Sequence, residues 1–157
     1  MILATVGMQL PFPRLIRALD AIAGRHGLHV VAQAIEPVAG LVHLDQRASL
    51  SPAEFDALAQ ACTLIVGHAG IGTMLSAAAH TKPLVLFPRI AALGEHRNEH
   101  QLATARHFGG QVGITIAHDA AELEHACLRH DAPPYRPAEQ PRYRALVSTV
   151  ADFVSAD

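Results

Sequence analysis

Residues 64–76 read Leu64-Ile65-Val66-Gly67-His68-Ala69-Gly70-Ile71-Gly72-Thr73-Met74-Leu75-Ser76, a short apolar run joined to a helix-like segment through a glycine-rich turn. Such a run predicts a buried strand feeding a helix. The first N–H groups of that helix have no intrahelical partner, and the glycines carry no side chain to hold a phosphate away. That is the pattern of an anion site. An ordinary tight strand-to-helix connection, in which Gly70 and Gly72 serve only the turn, fits the same residues.

The alternation extends in both directions. Upstream, residues 2–6 predict a buried strand that Gly7 turns out of. Leu15, Ile16, Leu19, Ile22 and Ala23 then repeat at helical spacing until Gly24 and Gly27 stop the helix. A strand over 28–34 and a weak one over 41–44 follow. Ser51-Pro52-Ala53-Glu54 is a capping box with proline at the first helical position, and its helix carries Phe55, Leu58, Ala59 and Cys62 on one side. Downstream, the pattern predicts a helix through 79, a strand over 84–87, a helix over about 96–108 closed by Gly109-Gly110, a weak strand over 112–116 and a helix capped by Asp119 and Glu122. Strands and helices in this order predict the α/β class: an open, mainly parallel, Rossmann-like sheet with helices on both faces and ligands beyond the carboxyl ends of its strands. Residues 131–141, with four prolines, read as a stiff linker, and Tyr143, Leu146, Val147, Val150, Phe153 and Val154 as the apolar stripe of a last helix. The expected organisation is an α/β domain over 1–130, a linker over 131–141 and a C-terminal helix over 142–157.

At 157 residues, half of them apolar, the chain has material for one well-buried core. A net charge of −2 argues against a nucleic-acid partner, which calls for a basic face. No apolar run reaches the eighteen or so residues of a membrane span, and the N-terminus lacks the pattern of a secretion signal. Cys62 and Cys127 fall at apolar helix positions and read as core residues. His96 and His100 lie four apart on one predicted helix, yet Glu95-His96-Arg97-Asn98-Glu99-His100 is not the spacing of a zinc helix, so no metal is expected.

Two further stretches, Lys82-Pro83-Leu84-Val85-Leu86-Phe87-Pro88-Arg89 and Gly94-Glu95-His96-Arg97-Asn98-Glu99-His100-Gln101, complete a longer pattern with His68-Ala69-Gly70-Ile71-Gly72-Thr73. From residue 64 to about 105 the chain resembles the nucleotide-sugar-binding half of the GT-B glycosyltransferases, the C-terminal domain of glycosyltransferase family 28. It is similar to the small catalytic subunits of two-chain enzymes, such as the dolichol-diphosphate N-acetylglucosaminyltransferase and its bacterial exopolysaccharide counterparts. Thr5-Val6-Gly7, followed by the helix around Leu15, also matches the start of those subunits.

The resemblance implies that residues 1–130 bind a nucleotide-sugar. The donor diphosphate is assigned to Gly7, His68, Gly70, Ile71, Gly72, Thr73 and Arg89, and the donor ribose and sugar to Ser76, Glu95, His96, Arg97, Asn98, Glu99 and Gln101. Ser76 stands where the family commonly has a carboxylate that clamps the ribose hydroxyls, and serine cannot form a two-oxygen clamp. Arg97 stands at a family amide position, where its guanidinium would read a carboxylate or brace the diphosphate.

The implied reaction is inverting sugar transfer from a UDP-sugar to a lipid-diphosphate-linked acceptor in polysaccharide biosynthesis, with no cofactor besides the donor. The general base and the acceptor site are expected on a membrane-anchored partner subunit, which would hold this chain at the inner, cytoplasmic face of the membrane. A non-catalytic nucleotide-binding regulatory module of the same fold is the alternative. A nicotinamide-dependent oxidoreductase fits poorly, because the first strand lacks the Gly-x-Gly-x-x-Gly fingerprint and its downstream acid.

Overall fold

The computed structural model describes residues 1–129 and 131–137. Six strands, β1 (Ile2–Thr5), β2 (Val30–Gln33), β3 (Asp45–Arg47), β4 (Leu64–Gly67), β5 (Leu84–Leu86) and β6 (Ile114–Ile116), form one sheet in the order β3-β2-β1-β4-β5-β6. All pairs are parallel. Among the described residues four helices lie between them, α1 (Pro13–His26), α2 (Pro52–Ala61), α3 (Ile71–Ala79) and α4 (His100–Phe108), and α5 (Ala120–Leu128) follows β6. The fold is therefore the open parallel α/β sheet that the alternation predicts.

Strand residues point alternately to the two faces, and each face has its own core. Ile2, Ala4, Leu64, Val66 and Val85 pack with Leu15, Ile16, Leu19 and Ile22 of α1 and with Leu123 and Cys127 of α5. Leu3, Ile65, Leu84 and Leu86 face Ala59 and Cys62, Met74 and Ala77 of α3, and Ala105 of α4. Burial on both faces explains why the central strands read as continuous apolar runs.

The start signals read from sequence are present. The Ser51 side chain accepts from the Glu54 N–H while the Glu54 carboxylate accepts from the Ser51 N–H, and Asp119 accepts from the Glu122 N–H. Lys82 closes the far end of α2, its Nζ donating to the Gln60 and Cys62 carbonyls at 2.7 and 2.8 Å. A cation there also suits the negative end of the helix dipole.

Strands β2 and β6 are each shorter than the sequence reading, and three other boundaries differ for a local reason. Helix α1 runs through Gly24, whose missing Cβ leaves room for the His43 ring, to His26, and ends at Gly27 with φ 62°. The edge strand β3 comes after residues 41–44, whose Leu41 and Leu44 pack on the core instead. It has no apolar alternation because it is largely exposed. Helix α4 starts at His100, since a 3₁₀ turn (Ala91–Leu93) and the left-handed Gly94 precede it.

The expected linker also needs correction over residues 131–137, which dock on the sheet. Tyr135 is buried, its N–H donates to the Lys82 carbonyl at 3.0 Å, and its backbone lies against Gly113, whose φ is 88°. A Cβ at Gly113 would come within 2.5 Å of the Tyr135 nitrogen and 2.6 Å of the Pro134 carbonyl carbon. Gly113→Ala should therefore cost about 2 kcal/mol or more in urea unfolding, from strain and displaced backbone together. A loss under about 0.5 kcal/mol, the size of an ordinary surface change, would show that the segment does not dock there. The rest of the predicted linker and the helix over 142–157 lie outside the described residues.

Candidate functional site

The chain winds outward from β1 through β2 to β3, then returns beside β1 at β4 and winds outward the other way. At this switch the loops leaving the two central strands diverge and open a crevice at their carboxyl ends. A cleft of about 820 Å³ lies there. Its lining comes from the loop after β1 (Gly7, Met8, Gln9, Leu10), the turn between β4 and α3 with Ser76, and Arg89, His96, His100, Gln101 and Thr104. Leu50, Pro52 and Phe55 form an apolar wall. The chain has 14 acidic residues, but no carboxylate lines this cleft among the described residues.

The amino end of α3 opens into the cleft. It has no side-chain cap, so helix geometry leaves the N–H groups of Ile71, Gly72 and Thr73 unpaired. The Gly70 N–H, also assigned to the diphosphate from sequence, instead donates to the His68 carbonyl at 2.8 Å. A Cβ at Gly72 would meet nothing within 4 Å beyond its chain neighbours and its own helix's backbone, so the space beside this first turn of α3 is open. Ser76 lines the same wall, and its hydroxyl donates to the Gly72 carbonyl at 2.9 Å.

Gly7 and Gly70 serve a neighbour: the His68 ring sits against both, in space that a Cβ at either position would take. Its Nδ1 lies 3.3 Å from the Thr73 hydroxyl, and the Thr73 side chain is itself buried. Burial, then the positive charge of Arg89, push the His68 pKa down to about 4, with the Thr5 carbonyl pulling the other way. The imidazole is therefore neutral at pH 7. It links the β1 loop, the β4–α3 turn and α3 without bringing charge to the cleft.

Arg89 is 2 % exposed. Its Nη1 donates to the carbonyls of Pro11 and Glu95 at 2.7 and 3.3 Å, and its Nη2 to those of Val6 and Leu10 at 2.9 and 2.6 Å. The guanidinium carbon lies 4.4 Å from the centre of the Phe12 ring. On the other side of the β1 loop, buried Gln33 donates to the Gly7 carbonyl at 3.0 Å and accepts from the Thr5 hydroxyl at 2.7 Å.

Of the sequence-assigned donor residues, Gly7, His68, Gly70, Ile71, Gly72, Thr73, Ser76, Arg89, His96 and Gln101 come together around the cleft. Gln101 accepts the Arg89 backbone N–H at 3.0 Å, and His96 Nδ1 lies 3.1 Å from the Asn98 side-chain oxygen. Glu95, Arg97, Asn98 and Glu99 do not line it. Both oxygens of Glu95 are held by Arg14, at 2.7 and 2.9 Å, and one also accepts the Ile90 N–H. Asn98 accepts from the His100 N–H at 3.2 Å, while Arg97 and Glu99 are exposed. Sequence reasoning passed over Thr5, Gln33, the β1 loop beyond Gly7, Leu50, Phe55, His100 and Thr104. His100 and Thr104 carry a usable signal, the four-residue helical spacing that puts both on one face.

Residues 51–154 match the glycosyltransferase family 28 C-terminal domain. The chain belongs to that family. A comparison with curated proteins gave no match. Among solved structures, this family 28 domain is similar to the glycotransferase of kitacinnamycin, with a TM-score of 0.60 at 15% identity over 99% of this chain and 39% of that one. It is also similar to CalG4, the calicheamicin glycosyltransferase (TM-score 0.58, 18% identity, 99% and 41% covered). SsfS6 from Streptomyces sp. SF2575, complexed with thymidine diphosphate, matches with a TM-score of 0.52 at 23% identity, over 90% of this chain and 33% of that one. The domain thus spans about two fifths or less of the length of these structures. Its fold is that of the donor-binding, C-terminal half of GT-B glycosyltransferases.

Proposed function

We propose that this domain holds the donor of an inverting glycosyltransferase, which moves a sugar from a UDP-sugar to a lipid-diphosphate-linked acceptor in polysaccharide biosynthesis. The observation that carries the reading is the uncapped amino end of α3, opening into a cleft that no carboxylate lines among the described residues. Unpaired N–H groups and the positive helix end favour a diphosphate, and favour it more as charge builds on the departing group. The thymidine diphosphate in SsfS6 supports a nucleoside diphosphate in this fold. The diphosphate contacts fall to Ile71, Gly72 and Thr73 N–H, and the sugar contacts to His96, Gln101, His100 and Thr104.

Among the described residues no carboxylate lines the cleft, and the base that takes the acceptor's proton is assigned to an acceptor-binding subunit, as the resemblance to two-chain enzymes implies. That subunit is membrane-anchored and holds the domain at the cytoplasmic face, as in the two-chain enzymes it resembles. Among the described residues no helix is long and apolar enough to cross a membrane. The reaction is expected to need no metal or other cofactor.

Two measurements test this. Calorimetric titration should show UDP binding to the purified chain, and absence of binding removes the donor reading. Transfer of radiolabelled sugar to lipid acceptor should require membranes containing the partner and should continue in EDTA. Full turnover by the chain alone would sink the two-subunit assignment. UDP binding with no turnover under any combination is the result expected of a regulatory module, the reading that Ser76 favours.

A further inference from the structure

We propose that Arg89 is a positioning residue: it fixes the loop of residues 6–11 and covers the carbonyl oxygens of Val6, Leu10 and Pro11 so that the cleft admits a diphosphate, without touching the diphosphate itself. This rests on the donor-site reading of the same cleft.

The loop after β1 forms one wall of the crevice. Carbonyl oxygens are the negative ends of peptide dipoles, and turned bare toward a diphosphate they would repel it. The carbonyls of Val6, Leu10 and Pro11 all end on the Arg89 guanidinium, and that of Gly7 ends on Gln33. Arg89 thus spends Nη1 and Nη2 on backbone, and the guanidinium is stacked against Phe12. A buried cation shared among carbonyls keeps its charge near the cleft while its Nη donors point elsewhere. The planar fork is what makes this work, since a lysine ammonium cannot reach carbonyls spread over residues 6–11 together with that of Glu95.

Nuclear magnetic resonance separates positioning from contact. The chain has three methionines, and Met8, 82 % exposed at the tip of the loop, reports on its shape while Met74 reports on α3. In Arg89→Lys the Met8 methyl signal should move, that of Met74 should stay, and UDP affinity should fall about tenfold or more as buried carbonyls lose their partners. An unmoved Met8 signal, or an unchanged affinity, overturns the proposal.

Should Arg89→Lys fail to fold, the wild-type protein decides. Its Arg89 guanidinium N–H signals should be slow to exchange and unaltered at saturating UDP, whereas a large shift on UDP addition means direct contact and overturns the assignment. Failure of the wild-type chain to bind UDP would sink the donor reading itself. The Met8 comparison would still decide whether Arg89 sets the loop.

Discussion

Gly72→Val should weaken UDP binding on the order of a hundredfold in a protein that remains folded. The residue is the second of α3, in the turn that exposes the Ile71, Gly72 and Thr73 N–H groups, and a Cβ there meets no protein atom within 4 Å beyond its chain neighbours and its own helix's backbone. Valine therefore fits the free domain and, as a better helix former than glycine, costs it little. Its branched side chain instead fills the open space a phosphate needs in order to approach the N–H groups. Losing hydrogen bonds to a charged ligand should cost about 3 kcal/mol, or on the order of a hundredfold in affinity by calorimetry. Gly72→Ala, with one methyl, should fall between. Equal UDP affinity in wild type and the folded valine variant would move the diphosphate away from α3.

Acidification should destabilise the protein through His68. Its folded pKa is depressed to about 4 against an ordinary value near 6.5. Between those values the unfolded chain takes up a proton that the folded chain refuses, so stability falls as pH drops through the window. The full loss is reached below pH 4, and above about 6.5 the group has no effect. Between pH 7.5 and 4.5 the loss is about 2–3 kcal/mol. Urea unfolding at both pH values, for wild type and His68→Gln, isolates it: carboxylates titrate in both proteins, so the difference in pH dependence belongs to the imidazole. Identical dependence in the two would show that His68 ionises freely in the fold, as a phosphate-contacting cation would.

The parallel α/β class, the central strands and the two side-chain-capped helices were legible because each rests on local signals: apolar runs, Ser51 with Glu54, Asp119 with Glu122. The edge strand β3 was misplaced because an exposed strand has no core face to write into sequence. Around the cleft, sequence named loops that line it, but not the contacts that several residues make there. Gly70 read as room for a phosphate and Gly7 as a turn residue, and the His68 ring lies in the space beside both. Glu95 read as a sugar ligand and is held by Arg14, 81 positions away in the chain. Gln33 gave no signal at all, since a buried glutamine four residues into a strand looks like any polar strand residue until the carbonyl it holds is known.

The sheet's order has a consequence for how the crevice endures. Strands β1 and β4 each have hydrogen-bonded neighbours on both flanks, while β3 and β6 have one apiece. An amide in a flanked strand exchanges its hydrogen for deuterium only when two ladders part, so these two strands belong with the last material to open. Fraying at either margin leaves the loops after β1 and β4 where they are. Sequence drift in the outer strands is thereby free to raise or lower overall stability while the floor of the cleft keeps its shape.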